Sequence, residues 1–153
     1  MPSRATVSAQ DTRELTDVIT RLRRALRRAI RDEYPWEQRP VAQMEVLQTL
    51  DERGSMRVGD LAERLRLAQS TVSALVGKLI GAGLVVREAD PQDRRAAVVT
   101  LTSGGRETVT QWDAAHRTRL DRALKRLADE DRAAVLEAVD ALGHLVDALD
   151  DAD

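Results

Sequence analysis

The sequence predicts a mainly α fold with a small β-hairpin wing (α+β): a winged helix-turn-helix flanked by N- and C-terminal dimerisation helices. Three observations predict it. Apolar residues recur at helical spacing through most of the chain. Two short amphipathic runs between residues 58 and 79 are separated only by residues 66–68, a connection that suits a helix-turn-helix. Directly behind them the period changes to that of strands, with two β-rich runs around the polar loop ADPQDRRA.

The first helix is expected over residues 11–32, where Leu15, Val18, Ile19, Leu22, Leu26, Ala29 and Ile30 share one face. Tyr34-Pro35-Trp36 and then Pro40 mark a break. Residues 41–50 read as a short second helix with Met44, Leu47 and Leu50 inward, and Arg53-Gly54-Ser55 as a turn. Val58, Leu61, Ala62 and Leu65 form one apolar face, and Val72, Leu75, Val76 and Leu79 the next. Gly83 followed by Leu84 has the pattern of a glycine helix stop with its hydrophobic follower. Residues 84–86 and 97–101 are the strands of the hairpin. Thr102 can cap a long helix whose seam is Val109, Trp112, His116, Leu120, Leu124 and Leu127. Asp129, Glu130 and Asp131 supply acids for the start of one last helix, with Val135, Val139, Leu142, Val146 and Leu149 along it.

The bulk numbers narrow the class. The 153 residues suit one domain or two small fused ones, and 42% hydrophobic residues suffice for a core. Aromatics are confined to Tyr34, Trp36 and Trp112, so the core must be aliphatic, which suits helices. The absence of cysteine excludes disulfides, thiolate metal sites and a cysteine redox switch. No apolar run approaches the roughly 20 residues that span a bilayer, and MPSRATVSAQDT has no apolar signal region. No membrane partner is expected, and a cytoplasmic location is.

A net charge of −2 hides an asymmetry. Residues 1–31 carry eight arginines against Asp11, Glu14 and Asp17, and residues 129–153 carry nine acids against Arg132. Residues 52–95 carry eight basic and six acidic groups, so low overall charge neither excludes nor demonstrates a nucleic-acid partner. The terminal helices have apolar seams too long for so small a centre to cover. Burial of apolar surface is worth roughly 25 cal/mol per Å², so an obligate two-fold homodimer is expected.

The helix over residues 69–82 turns one face to the core and shows Gln69, Ser70, Thr71, Ser73, Ala74, Gly77 and Lys78 on the other. Groups this small and polar let a helix lie deep in a major groove, where Gln reads adenine and Ser, Thr and Lys reach bases or phosphates. An ordinary solvated helix face is the competing explanation, and the lack of any large apolar or acidic residue there favours DNA. Arg94 and Arg95 sit at the hairpin tip beside Asp90 and Asp93. An exposed ion pair contributes roughly 0–1 kcal/mol, a weak reason for two arginines. One arginine is expected to be held by an aspartate, bracing the wing, while the other enters the minor groove; spacing does not assign which.

Catalysis finds little support: there is no Gly-rich phosphate loop, no HExxH and no nucleophile–base constellation. His116 and His144 lie within apolar helical patterns, where packed histidines are the simpler explanation. No enzyme activity, metal or cofactor is expected. Tyr34 and Trp36, with His116 and Arg119, are candidates to line a pocket for a small aromatic or anionic ligand, against simple packing at a hinge.

Residues 58–106 resemble the MarR family of winged-helix transcriptional regulators. LAERL, QSTVSALVGKLIGAGLVVRE and above all DPQDRRAAVVTLTSGGR carry the likeness, the last matching a wing signature of Asp-x-x-Asp-x-Arg, a β run and Leu-Thr-x-x-Gly. The resemblance implies a homodimer with a dimer domain made by the terminal helices. It implies two winged units on an inverted-repeat operator, usually for repression, often released by an anionic ligand between the domains. Carried over, Ser70, Thr71, Ser73 and Lys78 are recognition-helix contacts, and Arg95, with Arg94 second, is the minor-groove arginine. This chain departs from the family at four places. Ala74 stands where many members have arginine, Ala68 replaces the usual Ser cap, Arg66 replaces a frequent turn glycine, and Gln92 replaces a frequent wing arginine. A phosphate contact by Arg66 would offset the strain of a positive φ there.

The expected organisation is a dimerisation helix and hinge in residues 1–40, the DNA-binding domain in 41–101, and dimerisation helices in 102–153. The expected function is a sequence-specific regulator of a double-stranded DNA operator. The alternatives are a winged-helix module for protein–protein contact, and a small hydrolase or metal enzyme on a helical scaffold.

Overall fold

A computed structural model describes residues 7–33 and 39–151. The chain divides into two compact units, residues 1–115 and 116–153. The first opens with α1 (Ala9–Glu33). This helix starts two residues before the sequence expectation because Ser8 caps it. The Ser8 hydroxyl accepts the Asp11 N–H at 3.1 Å while the Asp11 carboxylate accepts the Ser8 N–H at 3.0 Å, the reciprocal bonds of a capping box. Its seam of Leu15, Val18, Ile19 and Leu22 stays open to solvent in the single chain.

The core of this unit is aliphatic and lies under α2 (Val41–Arg53), α3 (Val58–Leu65) and α4 (Gln69–Gly81). Val46, Leu47, Leu61, Val72, Val76 and Leu79 are fully buried, joined by Leu84, Val85, Val99, Leu101 and Val109 from the wing and the following helix. The two tight stops that shape this core use left-handed backbone. After α3, Arg66 takes φ 52° and ψ 41°, and the Leu67 N–H reaches back to the Ala62 carbonyl at 3.0 Å. After α4, Gly83 takes φ 73°, and the Leu84 N–H bonds the Leu79 carbonyl at 3.0 Å. Both are Schellman closures with a hydrophobic residue next in the chain folded onto the core. Gly83 adopts this conformation without a Cβ penalty; Arg66 does so against one.

The wing is an antiparallel pair, β1 (Val85–Ala89) and β2 (Ala97–Leu101), in register from Val85↔Leu101 to Ala89↔Ala97. Just beyond the Arg53-Gly54-Ser55 turn, Met56 forms an isolated bridge to Val99 beside this two-stranded sheet. Met56 and Val99 exchange backbone bonds at 3.1 and 2.7 Å, and the Ser55 and Thr100 hydroxyls meet at 2.8 Å.

The Leu-Thr-Ser-Gly-Gly run explains how α5 (Ser103–Leu124) is set against the back of the wing. Thr102 accepts the Gly105 N–H at 3.0 Å as a helix cap, and its hydroxyl donates to the Gly83 carbonyl at 2.7 Å. Gly105 must lack a side chain, since a Cβ there would stand 2.1 Å from the Leu84 carbonyl oxygen. Val109 and Ala115 complete the buried face of this part of α5.

The second unit holds the rest of α5, then α6 (Asp129–Glu137) and α7 (Val139–Asp150). The sequence periodicity predicts one helix here; the structure has two, meeting at Ala138. The Ala138 backbone stays near helical, and its N–H and C=O still bond Ala134 and Leu142 at 3.1 and 2.9 Å, so the seam runs on across the joint. Among the described residues of this unit none is buried in the single chain. Leu127, expected to extend the α5 seam, falls in the turn beyond Leu124.

Candidate nucleic-acid interface

The amphipathic pattern of α4 sorts its side chains as the 3.6-residue period dictates. Val72, Val76 and Leu79 are buried; Gln69, Ser70, Thr71, Ala74, Gly77 and Lys78 are exposed, and Ser73 is half-buried beside them. Ala68 occupies the cap position with extended backbone and offers no side-chain acceptor. The N-terminal turn of α4 therefore presents uncapped backbone N–H groups, the feature that makes helix starts favourable for phosphate. Arg66 is exposed in the turn just before it.

The exposed face of α4 and the wing open on the same side. A cleft of about 450 Å³ is lined by Gln69 and Ser73 from α4, Arg57, Val58, Gly59 and Asp60 around the start of α3, and Arg87, Ala97 and Val99 from the wing. Polar residues of the helix, Arg87 of the wing strand and Arg57 before α3 thus share one groove.

The wing loop is held by Asp90, at 8% exposure the buried charged residue among the described residues. Its Oδ1 accepts the Gln92 N–H at 2.9 Å, and its Oδ2 accepts two N–H groups of Arg57, from Nε at 2.8 Å and Nη2 at 2.6 Å. The Gln92 N–H and the Arg57 guanidinium together hold the Asp90 carboxyl below the usual carboxylate range. Arg57 is in turn held still more firmly in its charged form by Asp90. Asp93 Oδ2 lies 3.8 Å from Arg57 Nη2, and Asp93 Oδ1 accepts the Arg95 N–H at 3.1 Å. Backbone bonds from Asp90 to Ala96 and from Ala96 to Asp93, both 2.9 Å, close the loop.

This geometry corrects one expectation. Neither the Arg94 nor the Arg95 side chain pairs with an aspartate, although Asp93 holds the Arg95 backbone N–H: among the described residues the cation on Asp90 is Arg57, from the N-cap of α3. Both loop arginines stay exposed. Sequence reasoning passed over Arg57, although a signal was present: a cation at a helix start is disfavoured by the helix dipole, so an arginine there asks for a partner. Gln92, flagged as the place of a missing wing arginine, contributes through its backbone instead.

The ligand candidates are not brought together by what is described. Tyr34 and Trp36 lie outside the described residues. His116 and Arg119 are half-buried, one turn apart in the second unit. Among the described residues no group of three or more histidines and carboxylates could hold a metal ion, and no helix is long and apolar enough to cross a membrane.

Helix-turn-helix, a two-stranded wing and a small polar face on the second helix define a winged-helix protein. The sequence model of the MarR family matches residues 40–97. YfiV of Bacillus subtilis, named as an HTH-type transcriptional regulator, is 30% identical over 69% of this chain; the chain spans 66% of YfiV's length. ML2140 of Mycobacterium leprae, named likewise, is 30% identical over 80% of this chain and 85% of its own. The crystal structure of Rv1404 from Mycobacterium tuberculosis superposes with a TM-score of 0.76 at 26% identity, covering 94% of this chain and 97% of that one. The chain belongs to the MarR family, a family of transcriptional regulators and not of enzymes.

Proposed function

We propose that this protein is a homodimeric repressor that binds an inverted-repeat DNA operator through α4 and the wing and leaves it when a small aromatic or anionic ligand binds. The observation that carries the DNA reading is the shared groove. The exposed small polar face of α4 and the wing strand bearing Arg87 line one cleft, with Arg94 and Arg95 exposed on the loop that joins the wing strands. In the major groove Gln69, Ser70, Thr71, Ser73 and Lys78 meet base edges and phosphates, with Ala74 leaving room for close approach. Arg66 meets the backbone, and Arg95 or Arg94 enters the flanking minor groove.

Dimerisation is supported by the exposed seams. Leu142, Val146 and Leu149 on α7 and Leu15, Val18 and Ile19 on α1 are each at least 40% exposed in one chain, more than a lone folded chain leaves wet without reason. The segments 1–40 and 102–153 are assigned to that role, and 41–101 to DNA. The ligand assignment rests on the sequence alone, which offers Tyr34, Trp36, His116 and Arg119 as the candidate residues for a small aromatic or anionic ligand.

The deciding experiment is operator binding by Arg95→Ala, measured by anisotropy across a salt series. The variant should remain a folded dimer, bind at least tenfold more weakly, and lose roughly one phosphate-equivalent from the salt slope. Unchanged binding would remove the wing from the interface. A protein–protein module instead predicts no shift of upstream DNA at low salt by the parent protein.

A further inference from the structure

We propose that Arg57 is the positioning residue of the wing: from the N-cap of α3 it clamps Asp90 and steadies Asp93, so that the 90–96 loop presents Arg94 and Arg95 to DNA together. This rests on the DNA reading above.

Four observations carry it. Arg57 gives Asp90 two bonds to one oxygen, at 2.8 and 2.6 Å, while the other Asp90 oxygen is taken by the Gln92 N–H. The carboxylate is thus fixed on both sides, and with it the first residue of the loop. The chain just before Arg57 is tied to β2, through the Met56–Val99 backbone bonds and the Ser55–Thr100 hydroxyl contact, so the clamp is anchored to the wing. A second line runs from Arg57 to Asp93 at 3.8 Å and from Asp93 to the Arg95 N–H at 3.1 Å, reaching the backbone of the arginine itself. Finally, Arg57 stands at a helix start, where a cation is locally unfavourable. The loop carboxylates, which would otherwise repel phosphate next to Arg94 and Arg95, offset that cost.

An arginine that only strengthened the fold would act on DNA equally whether or not the loop arginines were present. An arginine that acts through them would not. The test is therefore a mutant cycle on operator affinity and salt slope with Arg57→Ala, Arg94→Ala/Arg95→Ala and the triple variant, each checked for folding and dimer mass. Arg57→Ala should lower affinity about tenfold and reduce the salt slope by up to about two phosphate-equivalents, yet add nothing once both loop arginines are gone. Arg57→Gln, which keeps one neutral donor nitrogen in its amide NH2, should fall between, and it replaces Arg57→Ala if that chain does not fold.

Additive losses would show Arg57 acting independently of the loop arginines, by touching DNA itself or through the fold alone, and overturn the proposal. Unchanged binding by Arg57→Ala, while the Arg94→Ala/Arg95→Ala chain binds weakly, would overturn it and leave the wing reading standing. Unchanged binding by the Arg94→Ala/Arg95→Ala chain would end both.

Discussion

Arg66 is the residue at which local stability and the proposed function pull apart. Among the described residues it is the one non-glycine with positive φ, at 52°. Left-handed backbone costs an ordinary residue of order 1 kcal/mol. Arg66→Gly should therefore stabilise the fold by about 1 kcal/mol in urea unfolding while weakening operator binding and lowering the salt slope by about one. Stabilisation without loss of binding would remove Arg66 from the interface. Asp90 makes a pH prediction. Its carboxyl is held below its ordinary value by the Gln92 N–H and Arg57, so its contribution is present above the ordinary carboxylate range. That contribution is lost as the pH falls through the depressed folded value. Unfolding measured from pH 7 downward should show a steeper acid loss in the parent than in Asp90→Asn, with the two converging in acid. Equal slopes would contradict the clamp. At this scale the sequence was partly legible. Asp90, Asp93 and the two loop arginines were visible as a cluster, but the partner of Asp90 lies 33 residues earlier, and side-chain pairing at that separation leaves no periodic signal.

Among the elements, α4 carries the recognition face and begins without a side-chain cap. Ala68 has extended backbone, φ −61° and ψ 139°, that suits a capping serine. Ala68→Ser should stabilise the protein by roughly 1 kcal/mol in thermal or urea unfolding; no gain would mean that the first N–H groups of α4 already have partners. The helices and hairpin were legible because each is written in local periodicity and stops: Gly83-Leu84 ends α4 as read, and Thr102 starts α5 as read. The bridge from Met56 to Val99 was not, because a single paired residue shows no alternation and exists only through the tertiary contact. The division of the last helix at Ala138 was also invisible, since alanine has no breaking signal and the helical bonds continue across it.

For the molecule as a whole, the exposed seams are the feature that the single chain does not satisfy. Val146 is 58% exposed and Leu142 45% in a helix with no buried residue. In the proposed dimer, Leu142→Asp/Val146→Asp would place charges in an apolar contact. Sedimentation should then show a monomer, and operator affinity should fall by two orders of magnitude or more as the second half-site is lost. A dimer of unchanged mass would take α7 out of the interface. The fold class could be read from sequence because winged helices are built from short, local elements; the pairing of two chains could only be inferred, from apolar surface left over. The central claim, recognition of a two-fold DNA site, has one direct measurement: selection of bound sequences from a random duplex pool, repeated at rising salt. The account predicts enrichment of an inverted repeat whose half-sites lie about one helical turn apart, with binding that weakens steeply as salt increases. Recovery of no enriched sequence, with no binding even at low salt, would contradict it.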